Sequence, residues 1–326
     1  MADPRCLPIA IAGAAMAMMG ASASAAPPRP CAMAASDRTW INGALGHWRT
    51  SERTLLKLDQ QPLPTIYAID ARCTYRRHAG TGAWRGDPHG GSIRLPGAPP
   101  PKVGPIAFAS ARGATRYFAI GLPSVWRAAG VTSTIGLERL MDGVMLHELV
   151  HTRQFHFANP TLKAISARYG LGDDIDDDSL QARFGKDPAY RAAYFNERDM
   201  LFAAAAASSD AEARRLAGEA LKMMRARHQR WFVGGDARWA ALDDIFLTME
   251  GAGQWLAYAW LTSPAGEKLP RATALRGVRR DGKQWSQDQG LALFLTIDRL
   301  VPGWQRLAFA KQPHLATALL ERAARG

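Results

Sequence analysis

The stretch "DGVMLHELVHTRQF", Asp142 to Phe155, holds two histidines four residues apart, with a glutamate directly after the first. Around them Leu140, Met141, Val144, Met145, Leu146, Leu149 and Val150 cover nearly every side of a helix. A helix that is apolar all round is a buried one. Histidine and glutamate inside a core need a reason, because burying an unpartnered polar group costs free energy. Positions four apart share one helix face, so His147 and His151 point the same way, one turn apart. Two neutral imidazoles in that relation can share one tetrahedral metal ion. Glu148, about 100° round the helix from His147, is placed to reach a water on that ion. This is the H-E-x-x-H arrangement of two zinc ligands and a base.

A further protein ligand is needed. His156 is badly placed for it. The metzincin extension requires Gly and His where Gln154 and Phe157 stand. Two downstream glutamates compete: Glu197 in "YFNERDML" and Glu250 in "LTMEGAGQWLAYAW". Glu250 is favoured. Its helix is strongly apolar, so its carboxylate is buried and needs a positive partner. Gly251 and Gly253 beside it permit close approach of the His147 helix. Gln254, one turn on, is positioned to hydrogen-bond a ligand histidine from behind. Glu197, in a more polar helix beside Arg198, reads as salt-bridged or supporting.

"HELVH" followed distantly by "EGAGQW" resembles the gluzincin zinc metallopeptidases, in particular exported bacterial members with an E-G-x-x-x-W-like helix. The match covers these two helices. The resemblance implies one Zn²⁺, peptide-bond hydrolysis, and a β-containing lobe before the active-site helix with a helical lobe after it. This chain departs from the thermolysin pattern in three respects. Arg153 stands where an apolar residue is usual, the gap to Glu250 is long, and Gln254 replaces the Asp one turn after the third ligand. On this reading His147, His151 and Glu250 hold zinc, and Glu148 is the general base toward a peptide or protein substrate. Tyr258, on the Glu250 helix, is the candidate donor to the oxyanion, with Tyr194 and His228 as alternatives. A zinc-stabilised binding protein without catalysis is the competing reading; the presence of Glu148 argues against it, since a purely structural site needs no base.

Outward from the motif, the order of elements predicts an α+β fold, mostly helical. "TIYAIDARCTYRR", "GPIAFAS" and "TRYFAIG" have the β-branched and aromatic content of strands. "GDPHGGSIRLPGAPPPKVGP" reads as a loop by its Gly and Pro, and "LPSVWRAAG" as a short helix. The β-containing lobe spans about 38–135, the active-site helix about 136–157 and the helical lobe about 161–326, and the resemblance implies that they form one thermolysin-like catalytic domain. The run "DDIDDD", Asp173 to Asp178, reads as a helix-capping, solvated loop. Ser286 and Gln289 have capping-box spacing.

The first 25 residues read as a signal peptide: Arg5, an apolar run from Leu7 to Met19, then Ala23 and Ala25 in the A-x-A cleavage arrangement. Residues 26–37 read as a flexible lead-in. Export to the periplasm or beyond removes Cys6 and leaves Cys31 and Cys73 to pair in an oxidising compartment. The run is short for a membrane span, so no stable membrane insertion is expected after cleavage. The chain has 326 residues, 47% of them hydrophobic, enough for a substantial core. Its formal charge is +12, but the basic residues are scattered over helices. With no interleaved basic and aromatic array, nucleic acid is not an expected partner.

Overall fold

Alternating β-branched and aromatic residues make "TIYAI", Thr65–Ile69, the middle strand β1 of a five-stranded sheet. Asp70 then turns the chain: its carboxylate accepts the N–H groups of Arg72 and Cys73, and the Tyr75 hydroxyl donates to its other oxygen. Strand β2 (Cys73–Arg77) returns antiparallel to β1, and β3 (Trp84–Pro88) pairs antiparallel with β2 at one edge. Strands β4 (Ala107–Arg112) and β5 (Thr115–Gly121) form a hairpin. β5 lies parallel to β1, giving the order β3-β2-β1-β5-β4, with β4 at the second edge. The computed structural model describes residues 30–96, 101–112, 115–171, 175–279 and 283–325. The expected signal peptide, residues 1–25, lies outside them.

One face of the sheet buries Ile66, Ala68, Tyr75, Phe118 and Ile120 against helices α1 (Ala35–Thr54) and α3 (Leu137–Tyr169). The other face carries Ile69, Tyr117 and Ala119 under Ile93 and Leu95. Between β5 and α3 runs the short helix α2 (Pro123–Ala128). α1 begins at Ala35, inside the segment read as lead-in, and Cys31 just before it is disulfide-bonded to Cys73. α3 also exceeds its expected end. It continues through Pro160 and stops at Gly170, whose φ of 62° suits a helix C-cap. Proline removes one helical N–H bond. Phe157, Ala158 and Ile165 offset that loss by burial in a second cluster, with Tyr190, Tyr194 and Trp239.

The helical part comprises α4 (Ser179–Phe184), α5 (Pro188–Ala206), α6 (Asp210–Trp231), α7 (Trp239–Thr262), α8 (Arg271–Arg279), α9 (Trp285–Leu300), α10 (Trp304–Ala308) and α11 (Ala316–Arg325). The result is a mixed α+β fold, mostly helical, with one small sheet. α7 is the central helix, packed between α3 and α9. Its contact with α9 is close because glycines meet there: a Cβ on Gly251 would lie 2.7 Å from the Gly290 carbonyl oxygen. Gly251 therefore serves α9, not the His147 helix as expected from sequence. Ser286 and Gln289 do not cap α9. The Ser286 hydroxyl donates to the Asp177 carbonyl and the Gln289 amide to Glu197. Nor does the Asp178 side chain cap α4; Asp176 instead takes the Ser179 hydroxyl. Asp173 and Asp174 lie outside the described residues. Among the described residues no helix is long and apolar enough to cross a membrane.

Candidate metal centre

α3 and α7 lie close enough side by side that a Cβ on Gly253 would sit 2.8 Å from His147 Nδ1. Only glycine allows that approach, and it brings Glu250 in α7 onto both histidines of α3. His147 Nε2 is 3.0 Å from one Glu250 oxygen, His151 Nε2 is 3.3 Å from the other, and the two Nε2 atoms are 3.0 Å apart. Two ligands about 2.0–2.1 Å from a tetrahedral zinc would lie about 3.3 Å from each other, so the spacing suits a shared ion. His147, His151 and Glu250 are all buried.

The outer ring nitrogens define what the inner ones are. Gln254 donates its amide to the Val278 carbonyl at 2.6 Å, so its Oε1 faces His147 Nδ1 at 3.0 Å and accepts from it. Gln154 donates to the carbonyls of Thr248 and Met249, and its Oε1 accepts from His151 Nδ1 at 2.8 Å. Both rings thus carry a proton on Nδ1 and turn Nε2 inward. Two ring nitrogens and a carboxylate converging in a buried space require a positive charge. The titration directions express the same demand. Burial pushes His151 down, but the charge of Glu250 and its hydrogen bond outweigh it and raise the ring to about 10. Burial pushes Glu250 up, yet His151 and His147 hold it well below the usual carboxylate range. One proton serves one acceptor at a time, whereas a divalent cation serves all three, so the residues present fit a metal ion. The geometry by itself does not select its element.

Glu148 is half-buried beside this group and turned toward the sheet. Its carboxylate accepts the Ala109 N–H of β4 at 3.0 Å. Burial raises its pKa first, Glu250 adds to that, and His151 and His147 oppose it. Asp177 also comes within electrostatic reach: burial, then the charge of Glu250, pushes it up to about 7.

Other sequence candidates lie elsewhere. Glu197 belongs to a buried ion cluster. It accepts Arg227 Nε at 2.8 Å, while Arg227 also donates to Asp243 and the Tyr190 hydroxyl. It is neither a third ligand nor a second-layer partner of the histidines. His228 is tied to Asp243, and Tyr194 is buried beside Trp285. Tyr258 lines a separate cavity with Phe202, Trp255 and Arg299. It is two turns past Glu250, about 12 Å along the axis and rotated about 80° from it, and no described contact joins it to the triad. Two contributors escaped the sequence reading. Gln154 had a readable cue, three residues beyond His151 on the same face. The Ala109 N–H had none, because a backbone group leaves no mark in residue identity. No family model, curated protein or solved structure was found that matches this chain.

Proposed function

We propose that the protein is a zinc-dependent peptidase of the gluzincin type, with a thermolysin-like arrangement of helix, edge strand and third ligand. The observation that carries this reading is the convergence of His147, His151 and Glu250 with Glu148 alongside. A purely structural site would have no use for this second carboxylate, largely buried beside the three candidate ligands and with a raised pKa. Held by His147, His151 and Glu250, zinc would supply Lewis acidity and lower the pKa of a water there to about 7. Glu148 takes the proton of the attacking water and passes it to the leaving amine. The Ala109 N–H fixes the orientation of that carboxylate. β4 is an edge strand, and because Ala109 points its N–H at Glu148 its free edge borders the centre. An extended peptide adding to that edge would bring its backbone carbonyl to the base.

The Cys31–Cys73 bridge supports export to an oxidising compartment, periplasmic or extracellular. Zinc content after dialysis and hydrolysis of a broad peptide mixture test the reading together. Wild type should hold about one zinc per chain and cleave peptides. Glu148→Gln should hold the same zinc and lose at least about a hundredfold in rate. Zinc in both proteins with cleavage by neither would leave the binding-protein alternative; full activity of Glu148→Gln would overturn the base assignment.

A further inference from the structure

The β4 edge beside the metal centre has a direction. Ala109 of β4 meets Glu148 of α3. Arg116, which donates to the Thr152 carbonyl, stands opposite Ala111 in the β4–β5 register. Residue numbers therefore rise together along β4 and α3. A peptide pairing antiparallel with β4, the more stable sense, runs against both, so its C-terminal side points toward the start of α3. There Leu140 lies seven positions before His147 (147 − 140), about 10.5 Å along the helix axis and within about 20° of the same face. That is the reach of about three extended residues.

Leu140 helps line a cavity of about 870 Å³, together with Trp126, Arg198, Arg276, Arg279 and Lys283. Val278, between the lining residues Gly277 and Arg279, holds Gln254 behind the His147 ring. Among the described residues no acidic side chain lines the cavity. Arg198 and Arg279 share the buried carboxylate of Asp288, at 3.1 and 2.9 Å, and Arg198 also reaches Asp199. Among the described residues Arg276 makes only a 3.5 Å contact with the Thr273 hydroxyl, and Lys283 makes no ion pair or hydrogen bond. The Trp126 indole N–H is buried without an acceptor. Two cations, uncommitted among the described residues, thus stand toward the end of the β4 edge where a substrate's C-terminal side would lie.

We infer that the enzyme selects substrates carrying a carboxylate two to four residues beyond the scissile bond, received by Arg276 and Lys283. The inference rests on the peptidase reading and names its substrate class. The carboxylate is either an acidic side chain or the peptide's own C-terminus. Binding separates these sources without requiring turnover. The probes are N-terminally labelled hexapeptides: amidated with Gln, Glu or Lys at the last three positions, and the Gln peptide as a free acid. Fluorescence anisotropy on zinc-loaded Glu148→Gln protein should give at least about tenfold tighter binding for a carboxylate peptide than for the neutral amide, with Lys weakest. A gain for the free acid alone identifies the C-terminus, and a gain for internal Glu identifies the side chain. In the Arg276→Gln, Lys283→Gln double variant, with melting temperature and zinc content matched to the parent, the preference should fall below about twofold. Equal binding of all probes, or a preference that survives both substitutions, overturns the inference. Wild type that cleaves peptides without charge preference also overturns it while leaving the peptidase reading intact. Charge-selective binding with no cleavage by wild type supports the selectivity and removes the peptidase reading.

Discussion

Glu250 and Glu197 are both buried glutamates on long helices, and their neighbours separate their roles. Glu250 faces two imidazoles; Glu197 faces Arg227. Glu250→Ala should lose the bound metal on dialysis, as elemental analysis would read. Glu197→Ala should keep the metal and lose stability, by about 3 kcal/mol in urea unfolding, since it unbalances a buried ion cluster. Gly253→Ala should act on the metal from behind. Its methyl would press on the His147 ring at 2.8 Å, and a metal affinity lowered about 10- to 100-fold is expected by competition with a chelating dye. At this scale His147, Glu148, His151, Glu250 and Gln254 were legible, because helical spacing and a carboxylate in an apolar helix are properties of residue order. Tyr258 was misplaced because proximity in sequence to Glu250 ignores the rotation of two helical turns. Gln154 stood in view and was read only as the absence of a glycine.

Elements were legible where their side chains alternate or cycle. The runs read as strands contain β1, β2 and β5 and the first four residues of β4, but "WRGDP" was missed as β3, an exposed edge strand containing Gly and Pro. Its strand character comes from pairing with β2, not from its own residues. α3 passes Pro160 for a similar reason: tertiary burial overrides a local breaker. α1 is pinned to α3 by a polar contact as well as by its apolar face. His47 Nδ1 meets Asp142 at 3.0 Å, and the ring stacks on Trp260 of α7. The hydrogen bond to Asp142 raises the His47 pKa above 6.5, against the effect of burial. A folded-state value above the unfolded one means that the protonated ring stabilises the fold. That contribution is complete below pH 6.5 and disappears as pH rises through the raised folded value. The melting-temperature gap between wild type and His47→Gln should therefore be wider at pH 6 than at pH 9. A gap constant across that range would mean that the pair contributes nothing through charge.

Cys31–Gly326 is one compact unit, and within it two long-range ties hold separate parts of the chain together. One is the disulfide, joining the segment before α1 to β2 across a sequence separation of 42. In the chain-entropy model a loop of that size is worth about 4 kcal/mol. Urea unfolding of Cys31→Ser, Cys73→Ser protein should show a loss of that order, and a loss under about 1 kcal/mol would mean that the reduced chain keeps its own loop closed. The other tie is the metal triad, with His147 and Glu250 103 positions apart. The mostly helical α+β layout was expected from the order of elements, whereas the parallel pairing of β1 with β5 was not. That pairing has a kinetic consequence. β1 can join β2 through the Asp70 turn as soon as both exist, but its other edge waits until β3 and β4 have been made and the chain has returned as β5. Late, non-local closure slows folding. Until it occurs, the middle strand of the finished sheet is an open margin able to recruit a strand from another molecule. The newly made chain is therefore most exposed to self-association before the sheet closes, at a stage when the long helices that will carry the metal need not yet be in place.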